Sequence, residues 1–208
     1  MIKNLVERHP ELACCEADIT VCVKAIIHAY ESKKKLLVCG NGGSCCDADH
    51  IVGELMKGFC RKRPLTTELE QWLDETDSTE AKFMAEQLQM PLRAINLGAH
   101  MGLSSAISND INPELDFAQQ VLGYADSGDI YIGLSTSGSS HNVVYGGVMA
   151  KALGAITIGF TGKNTCKMDE LFDIVIHVPA VEVYKIQEYH LPIYHAICLT
   201  VENYFFKI

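Results

Sequence analysis

His50 and Glu54 lie four residues apart in a helix-prone stretch that follows a run of glycines. Residues at positions i and i+4 lie on one face of a helix, so the imidazole and the carboxylate face the same side. These two groups can remove and return protons near neutral pH. The spacing therefore indicates a proton-transfer pair, although a surface ion pair is the commoner use of the same arrangement.

The last predicted helix, KIQEYHLPIYHAICLTVENYFF, carries a second set of groups that exchange protons or bind polar ligands. Gln187 and His195 are eight residues apart, about 80° around an ideal helix. Pro192 lies between them and removes a backbone hydrogen bond. The spacing therefore does not fix the relative position of Gln187 and His195. A structural role for the histidines of this helix, His190 and His195, is the alternative to a role in proton transfer.

The same residues also suit a metal. His50, Glu54 and His195 would give a catalytic zinc ion three protein ligands and one open position. The amide oxygen of Gln187 would be an unusual fourth ligand. A divalent metal site is thus a second use for the side chains that could transfer protons.

Two polar loops each separate a predicted strand from a predicted helix. The first is GNGGS at 40–44, and the second is STSGSS at 135–140. Glycines let a ligand approach the backbone, and the following helix presents unpaired N–H groups with partial positive charge. The second loop adds five hydroxyl groups. Either loop alone would be an ordinary turn, but two on one sheet predict a site for a phosphate group.

Other phosphate-binding motifs are incomplete. The spacing Gly154-x-x-x-x-Gly159 is followed by Phe160 rather than the lysine that a P-loop requires. Gly40-x-Gly42 begins a dinucleotide-binding motif, but Cys45 occupies the third glycine position. We therefore expect no nucleotide cofactor, and a nicotinamide enzyme remains a minor alternative.

The elements that must position these loops alternate along the chain. Apolar strand-like segments alternate with helical ones, which predicts an α/β fold with a parallel sheet covered on both faces. In such sheets, ligands bind beyond the carboxyl ends of the strands. The rhythm is broken at 61–92, where an acidic, helix-prone stretch surrounds Trp72. We predict a helical insertion there, over about 64–92, within one domain that spans residues 1–208.

Composition excludes several partners. The formal net charge of −9 argues against nucleic acid and anionic membranes, which need a basic face. No apolar run reaches the ~20 residues that span a bilayer. The nine cysteines have no zinc-finger spacing, and the N-terminal segment is charged where a signal peptide would be apolar. Together these features predict a protein of the reducing cytoplasm.

Three separated motifs in this order resemble the phosphoheptose isomerases, a family with the sugar isomerase (SIS) fold. They are GNGGSCCDADHIVGEL, STSGSSHNV and KIQEYHLPIYHAICLTVE, and SNDI at 108–111 is similar to a substrate-binding turn of the same family. The resemblance covers most of the chain outside 64–92. Val183 and Tyr184 depart from it, because an acidic residue or threonine is usual there.

The resemblance implies a three-layer αβα sandwich around a five-stranded parallel sheet, with N-terminal helices. It implies a homotetramer with active sites at subunit interfaces. The implied reaction is the aldose–ketose isomerisation of sedoheptulose 7-phosphate to a heptose 7-phosphate through an enediol intermediate. The phosphorylated sugar would be the partner of the site.

Residue roles carry over by motif position. Glu54 and His195 would be the acid and base. Some members of the family bind zinc at the positions of His50, Glu54, Gln187 and His195. The substrate contacts implied by the resemblance come from the two polar loops, the SNDI turn and the terminal helix, and they are Asn41, Gly42, Gly43, Ser44, Asn109, Asp110, Ser135, Thr136, Ser137, Ser140 and Gln187.

A binding protein without catalysis is the principal alternative. It would sense a sugar phosphate, or resemble the branch of SIS proteins that associates with a replication initiator. Such an adaptor need not keep His50, Glu54, Gln187 and His195 together. The presence of all four in this sequence favours the enzyme.

Overall fold

The computed structural model describes residues 1–206 and places five parallel strands in one sheet with the order β2-β1-β3-β4-β5. This confirms the predicted α/β fold with a five-stranded parallel sheet. The strands are β1 (Leu36–Gly40), β2 (Ala94–Asn96), β3 (Ile130–Leu134), β4 (Ile156–Thr161) and β5 (Ile174–His177).

Helices cover both faces of the sheet. Their bounds are α1 (Ile2–Arg8), α2 (Glu16–Glu31), α3 (Gly43–Met56), α4 (Thr67–Asp74), α5 (Thr79–Gln87), α6 (Met101–Asp110), α7 (Asp116–Tyr124), α8 (His141–Ala152), α9 (Lys167–Leu171) and α10 (Val183–Phe205). One apolar core holds residues of α1, α2, α3 and α10, and the other holds residues of α7, α8 and α9. The three-layer αβα arrangement follows from these two cores.

Strand β1 shows why the sheet is buried on both sides. Leu36 and Val38 belong to the first core, whereas Leu37 and Cys39 belong to the second. Successive strand residues point to opposite faces, so a continuous apolar run fills both cores at once. This is the pattern of a parallel sheet between two helical layers.

The insertion at 61–92 contains two short helices, α4 and α5. Each begins at a hydroxyl cap: Thr66 accepts a hydrogen bond from the amide of Leu69, and Ser78 accepts one from that of Ala81. These caps satisfy amides that lack partners inside the helix.

Within residues 1–206, no helix combines the length and the apolar character that crossing a bilayer requires.

Candidate functional site

The two polar loops leave neighbouring strands at the same edge of the sheet. Gly40, the last residue of β1, pairs with Leu134, the last residue of β3. The loops therefore begin side by side, and together they line a cavity of about 300 Å³. Its lining residues are Asn41, Gly42, Gly43, Ser44, Leu134, Ser135, Thr136, Ser140, Val183 and Gln187.

The second loop folds back on itself through its hydroxyl groups. The Oγ of Ser135 lies 2.9 Å from that of Ser140 and 3.4 Å from that of Ser137. The amide of Gly138 donates to the carbonyl of Ser135, with φ at +62°. A Cβ on Gly138 would lie 2.2 Å from the Sγ of Cys166, so only glycine fits here. The result is a compact turn in which the hydroxyls of Ser137 and Ser140 both lie near that of Ser135.

An asparagine pair joins the first loop to the start of α8, the helix that follows the second loop. The side-chain amide of Asn41 donates to Asn142, and that of Asn142 donates back, both over 2.9 Å. The carbonyl oxygen of Asn142 also accepts the amide of Val143 at the start of α8. Asn142 is not among the residues predicted from the sequence. The only signal was its place shortly after the serine-rich loop.

The first loop contacts the terminal helix. Gly42 has φ at +55°, a conformation that favours glycine. A Cβ on Gly43 would lie 2.7 Å from the amide nitrogen of Gln187, so Gln187 packs directly on the loop. Helix α3 begins at Gly43 and α8 begins at His141. Two helix N-termini, with their partial positive charge, thus point toward the cavity.

His50 lies between the two predicted proton-transfer groups. Its Nε2 is 3.2 Å from Oε1 of Glu54 and 3.4 Å from Nε2 of His195. The ring of His195 also packs edge-on against that of Tyr194. His50 and Glu54 lie on one face of α3, as their spacing predicts. Helix α10 brings His195 to the same face.

A hydrogen-bond chain sets the tautomer of His50. The Tyr194 hydroxyl donates to Oδ1 of Asp47 over 3.2 Å, which leaves it to accept a proton from Nδ1 of His50 over 2.9 Å. The lone pair of His50 is then on Nε2 and faces the carboxylate of Glu54. An imidazole lone pair and a carboxylate oxygen repel each other unless a proton or a cation lies between them. The contact between His50 and Glu54 thus fits either a shared proton or a cation between them. The ligand atoms of His50, Glu54 and His195 do not all lie within 4.8 Å of one another, so the three are not assembled as a metal site in one chain.

Burial lowers the pKa of His195 below its usual value, and the nearby His50 lowers it further, while Glu54 acts in the opposite direction. A neutral imidazole at physiological pH is the form that can accept a proton. The environment of His195 therefore suits a general base.

The cavity and the three-residue group are two separate places in one chain. None of His50, Glu54 and His195 lines the cavity. Gln187 does, and eight helical residues, about 12 Å along the axis, separate it from His195. The structure therefore does not bring Gln187 to the other three predicted metal ligands within one chain.

The predicted substrate residues Asn109 and Asp110 lie elsewhere. Both are exposed in the last turn of α6, where the amide of Asn109 donates to the carboxylate of Asp110 over 2.7 Å. Neither lines the cavity. The remaining predicted contacts, apart from Ser137, line this cavity. Ser137 joins Thr136 in an adjoining cavity of about 330 Å³.

A buried ion pair holds α3 and α10 in register. The side chains of Arg63 and Glu202 are fully buried and 2.8 Å apart. Arg63 also donates to the carbonyls of Leu55 and Glu54 at the end of α3. Glu202 accepts the amides that follow α3, those of Phe59 and Cys60. Sequence analysis missed this pair, because nothing in local spacing links positions 139 residues apart.

Comparison with known proteins agrees with this geometry. A model of the SIS domain matches residues 94–204. The chain is 37% identical over 179 residues to the phosphoheptose isomerase of a Nitratiruptor species, covering 86% of this chain and 82% of that protein. It is 35% identical over 187 residues to the phosphoheptose isomerase of Aneurinibacillus thermoaerophilus, covering 90% and 81%.

Solved structures give the same relationship. The phosphoheptose isomerase GmhA from Neisseria gonorrhoeae superposes with a TM-score of 0.75 and 25% identity, over 97% of this chain and 94% of that one. A phosphoheptose isomerase from Francisella tularensis superposes with a TM-score of 0.77 and 26% identity, over 94% and 91%. The similarity therefore spans both polar loops and the terminal helix.

Proposed function

Because the chain belongs to the phosphoheptose isomerase family of SIS-domain proteins, and is thus a sugar-phosphate isomerase, we propose that it converts sedoheptulose 7-phosphate to a heptose 7-phosphate. The observation that carries this proposal is the grouping of His50, Glu54 and His195 on the two helices whose ends flank the polar loops. The family relationship favours this activity over the non-catalytic adaptor.

The loops bind the phosphate in this proposal. The hydroxyls of Ser135, Thr136, Ser137 and Ser140 and the N-termini of α3 and α8 supply donors for a dianion. A site built from amides and hydroxyls suits a chain of net charge −9, because it needs no cluster of basic side chains. Asn41, Ser44 and Gln187 line the same cavity and would orient the sugar.

Glu54 and His195 move the proton. One removes a proton from C1 of the ketose and passes it to the C2 carbonyl oxygen, while the C–H electrons form the C1–C2 double bond of an enediol. The other group then gives its proton to C2 and takes up the proton of the C1 hydroxyl, whose oxygen becomes the aldehyde oxygen. The pair returns to its starting protonation state, so no further reactant is consumed. The lowered pKa of His195 keeps it available as the base.

His50, Glu54 and His195, with Gln187 as the fourth ligand, would be the residues to hold a zinc ion, which would polarise the sugar carbonyl. Their side chains would first have to move, because the ligand atoms of the three do not all lie within 4.8 Å of one another. A subunit that held zinc through His195 would use the lone pair that otherwise accepts the proton. His50 is oriented for this by Tyr194, since a metal-binding histidine commonly uses its second nitrogen in such a bond. The separation of Gln187 from His195 within one chain leads us to assign the fourth ligand to another subunit.

The site is completed between subunits in our proposal. The substrate cavity and the proton-transfer group lie about two helical turns apart in one chain, so the cavity of one copy would face His50, Glu54 and His195 of another. A homotetramer satisfies this requirement. Asn109 and Asp110, exposed on α6, would then reach a substrate bound to a neighbouring copy. The nine free thiols fit assembly in the reducing cytoplasm.

The test is direct. Purified protein is incubated with sedoheptulose 7-phosphate in ²H₂O, and the products are followed by proton and phosphorus NMR. We expect a heptose 7-phosphate with deuterium at C2. The side chain that protonates C2 of the enediol exchanges its own proton with the ²H₂O solvent, so it delivers deuterium. Binding of the sugar phosphate without any conversion would identify an adaptor and overturn the proposal.

A further inference from the structure

Three potential metal ligands meet behind the polar loop at 135–140, which we call the phosphate-binding loop. They are Cys166, Asp169 and His177, at the start of α9 and the end of β5. Their ligand atoms all lie within 4.8 Å of one another, and no other group of three or more His, Cys, Asp or Glu side chains in residues 1–206 meets this distance. Neither the predicted metal set nor the proposed mechanism uses them.

The hydrogen bonds of His177 resemble those of a metal ligand. Its Nδ1 lies 2.8 Å from the carbonyl oxygen of Gly162. A carbonyl only accepts, so Nδ1 carries the proton and the lone pair of the neutral ring is on Nε2. That nitrogen lies 2.6 Å from Oδ1 of Asp169. Metal-binding histidines commonly donate the distal N–H to a backbone carbonyl in this way.

The carboxylate and the thiol are held in place by the backbone. Oδ2 of Asp169 accepts the amide of Cys166 over 2.8 Å, and the thiol of Cys166 accepts the amide of Asp169 in return. The side chains of Asp169 and His177 are each 30% exposed. The group is therefore ordered before any ligand arrives and is open to solvent on one side.

We propose that Cys166, Asp169 and His177 bind a thiophilic divalent cation of the zinc class, with solvent as the fourth ligand. Ligand atoms around tetrahedral zinc are roughly 3.4–3.6 Å apart, given its usual bond lengths. The 2.6 Å between Nε2 of His177 and Oδ1 of Asp169 would therefore widen when the ion binds. Coordination deprotonates the thiol, so one proton leaves for each ion bound. A soft sulfur beside a nitrogen and an oxygen favours zinc over magnesium or calcium.

This cation would brace the phosphate-binding loop from behind. The amide of Lys167 donates to the Oγ of Ser139, and the amide of Met168 donates to the carbonyl of Gly138. The Sγ of Cys166 packs against Gly138. The start of α9 thus supports the loop at two hydrogen bonds and one close contact. The metal site itself does not depend on the proposed isomerase activity.

The test uses Co²⁺, because a cobalt–thiolate bond gives a charge-transfer absorption in the near ultraviolet that oxygen and nitrogen ligands do not give. The full-length protein is titrated with Co²⁺ and then with Zn²⁺. We expect a saturable thiolate band that Zn²⁺ removes. The band should be absent in Cys166→Ser. In His177→Gln, the apparent affinity for Co²⁺ should be at least tenfold weaker. The band should persist in His195→Ala, which lacks one ligand of the other predicted metal set.

Cys60→Ser is the matched control, because Cys60 is an exposed thiol outside the group. A band that disappears in Cys60→Ser and persists in Cys166→Ser would overturn the proposal, as would the absence of any thiolate band. If Cys166→Ser fails to fold, alkylation of the wild-type protein decides. Zn²⁺ should slow iodoacetamide labelling of Cys166 at least tenfold and leave Cys60 unchanged, and equal labelling with and without Zn²⁺ would contradict the site.

Discussion

The Nε2 atom of His195 lies 3.4 Å from the Nε2 atom of His50, and 145 residues of sequence separate the two rings. His50 in turn contacts Glu54 through the same nitrogen. One imidazole therefore lies between the two groups to which we assign the proton transfer. Its orientation depends on a hydroxyl group behind it, that of Tyr194.

Replacement of Tyr194 by phenylalanine tests that orientation. Tyr194→Phe removes the acceptor for Nδ1 of His50 and frees the ring to take either tautomer. Loss of such an outer partner commonly lowers activity or metal affinity 10–100-fold, so we expect kcat for sedoheptulose 7-phosphate to fall by about tenfold or more. The Kd for the sugar phosphate should stay within about threefold, since the loops are untouched. Unchanged kcat would show that the hydrogen bond has no part in positioning His50.

Lys163 is the only cation among the described residues that line the two cavities beside the phosphate-binding loop. It lines the cavity that Thr136 and Ser137 share, so its ammonium group can approach a bound phosphate. A hydrogen bond to a charged group contributes about 1.5 kcal/mol or more. We therefore expect Lys163→Met to raise KM for sedoheptulose 7-phosphate about tenfold with kcat unchanged. Lys24→Met, on the exposed side of α2, is the control and should leave both constants unchanged.

The buried pair of Arg63 and Glu202 should dominate the stability of the α3–α10 contact. Glu202→Gln leaves the guanidinium of Arg63 without its counter-charge in a fully buried position. Removal of one partner of a buried ion pair costs about 3–5 kcal/mol, and urea unfolding should show a loss of this size. Glu182→Gln removes an exposed partner of Lys185 at the start of the same helix and should leave the free energy of unfolding nearly unchanged, because water screens an exposed ion pair. Equal effects of the two changes would show that the pair is not what joins the helices.

His190 makes the folded state sensitive to acid. Burial lowers the pKa of His190 to about 4. The Nε2 atom of its ring forms a hydrogen bond with the carbonyl oxygen of Thr161. Above pH 6.5 the ring is neutral in the folded and unfolded states, so its contribution is complete. As the pH falls from 6.5 to about 4, only the unfolded chain takes up the proton. The free energy of unfolding then falls by about 3 kcal/mol.

The measurement is urea unfolding at about pH 7 and about pH 4.5 for the wild type and His190→Gln. Carboxylates titrate in both proteins. The difference between the two proteins in how the free energy of unfolding changes with pH is therefore the contribution of the His190 imidazole. The wild type should lose more stability than the variant over this interval. Equal slopes would contradict the lowered pKa.

Sequence reasoning succeeded where the chemistry is contiguous. The loops at 40–44 and 135–140 carry their own glycines and hydroxyls, and parallel strand order brings their ends to one edge of the sheet. The i,i+4 spacing of His50 and Glu54 fixed their common face without any knowledge of packing. The five strands followed from short apolar runs that must fill two cores.

It failed where contacts depend on how distant helices pack. The Asn41–Asn142 pair spans 101 residues, and Arg63 reaches Glu202 across 139. Residue types near either position gave no sign of the partner. Long-range pairing is set by the shapes of both surfaces, which local periodicity does not contain.

The central claim is that the loops bind the phosphate while Glu54 and His195 transfer the proton. The decisive measurement compares turnover of sedoheptulose 7-phosphate with its calorimetric Kd in the wild type, Glu54→Gln and His195→Ala, with Glu80→Gln on the exposed α5 as the control. General acid–base catalysis contributes about 10²–10⁴-fold, so each of the first two variants should lose at least a hundredfold in kcat while its Kd stays within about threefold. Turnover that survives in both variants would contradict the account.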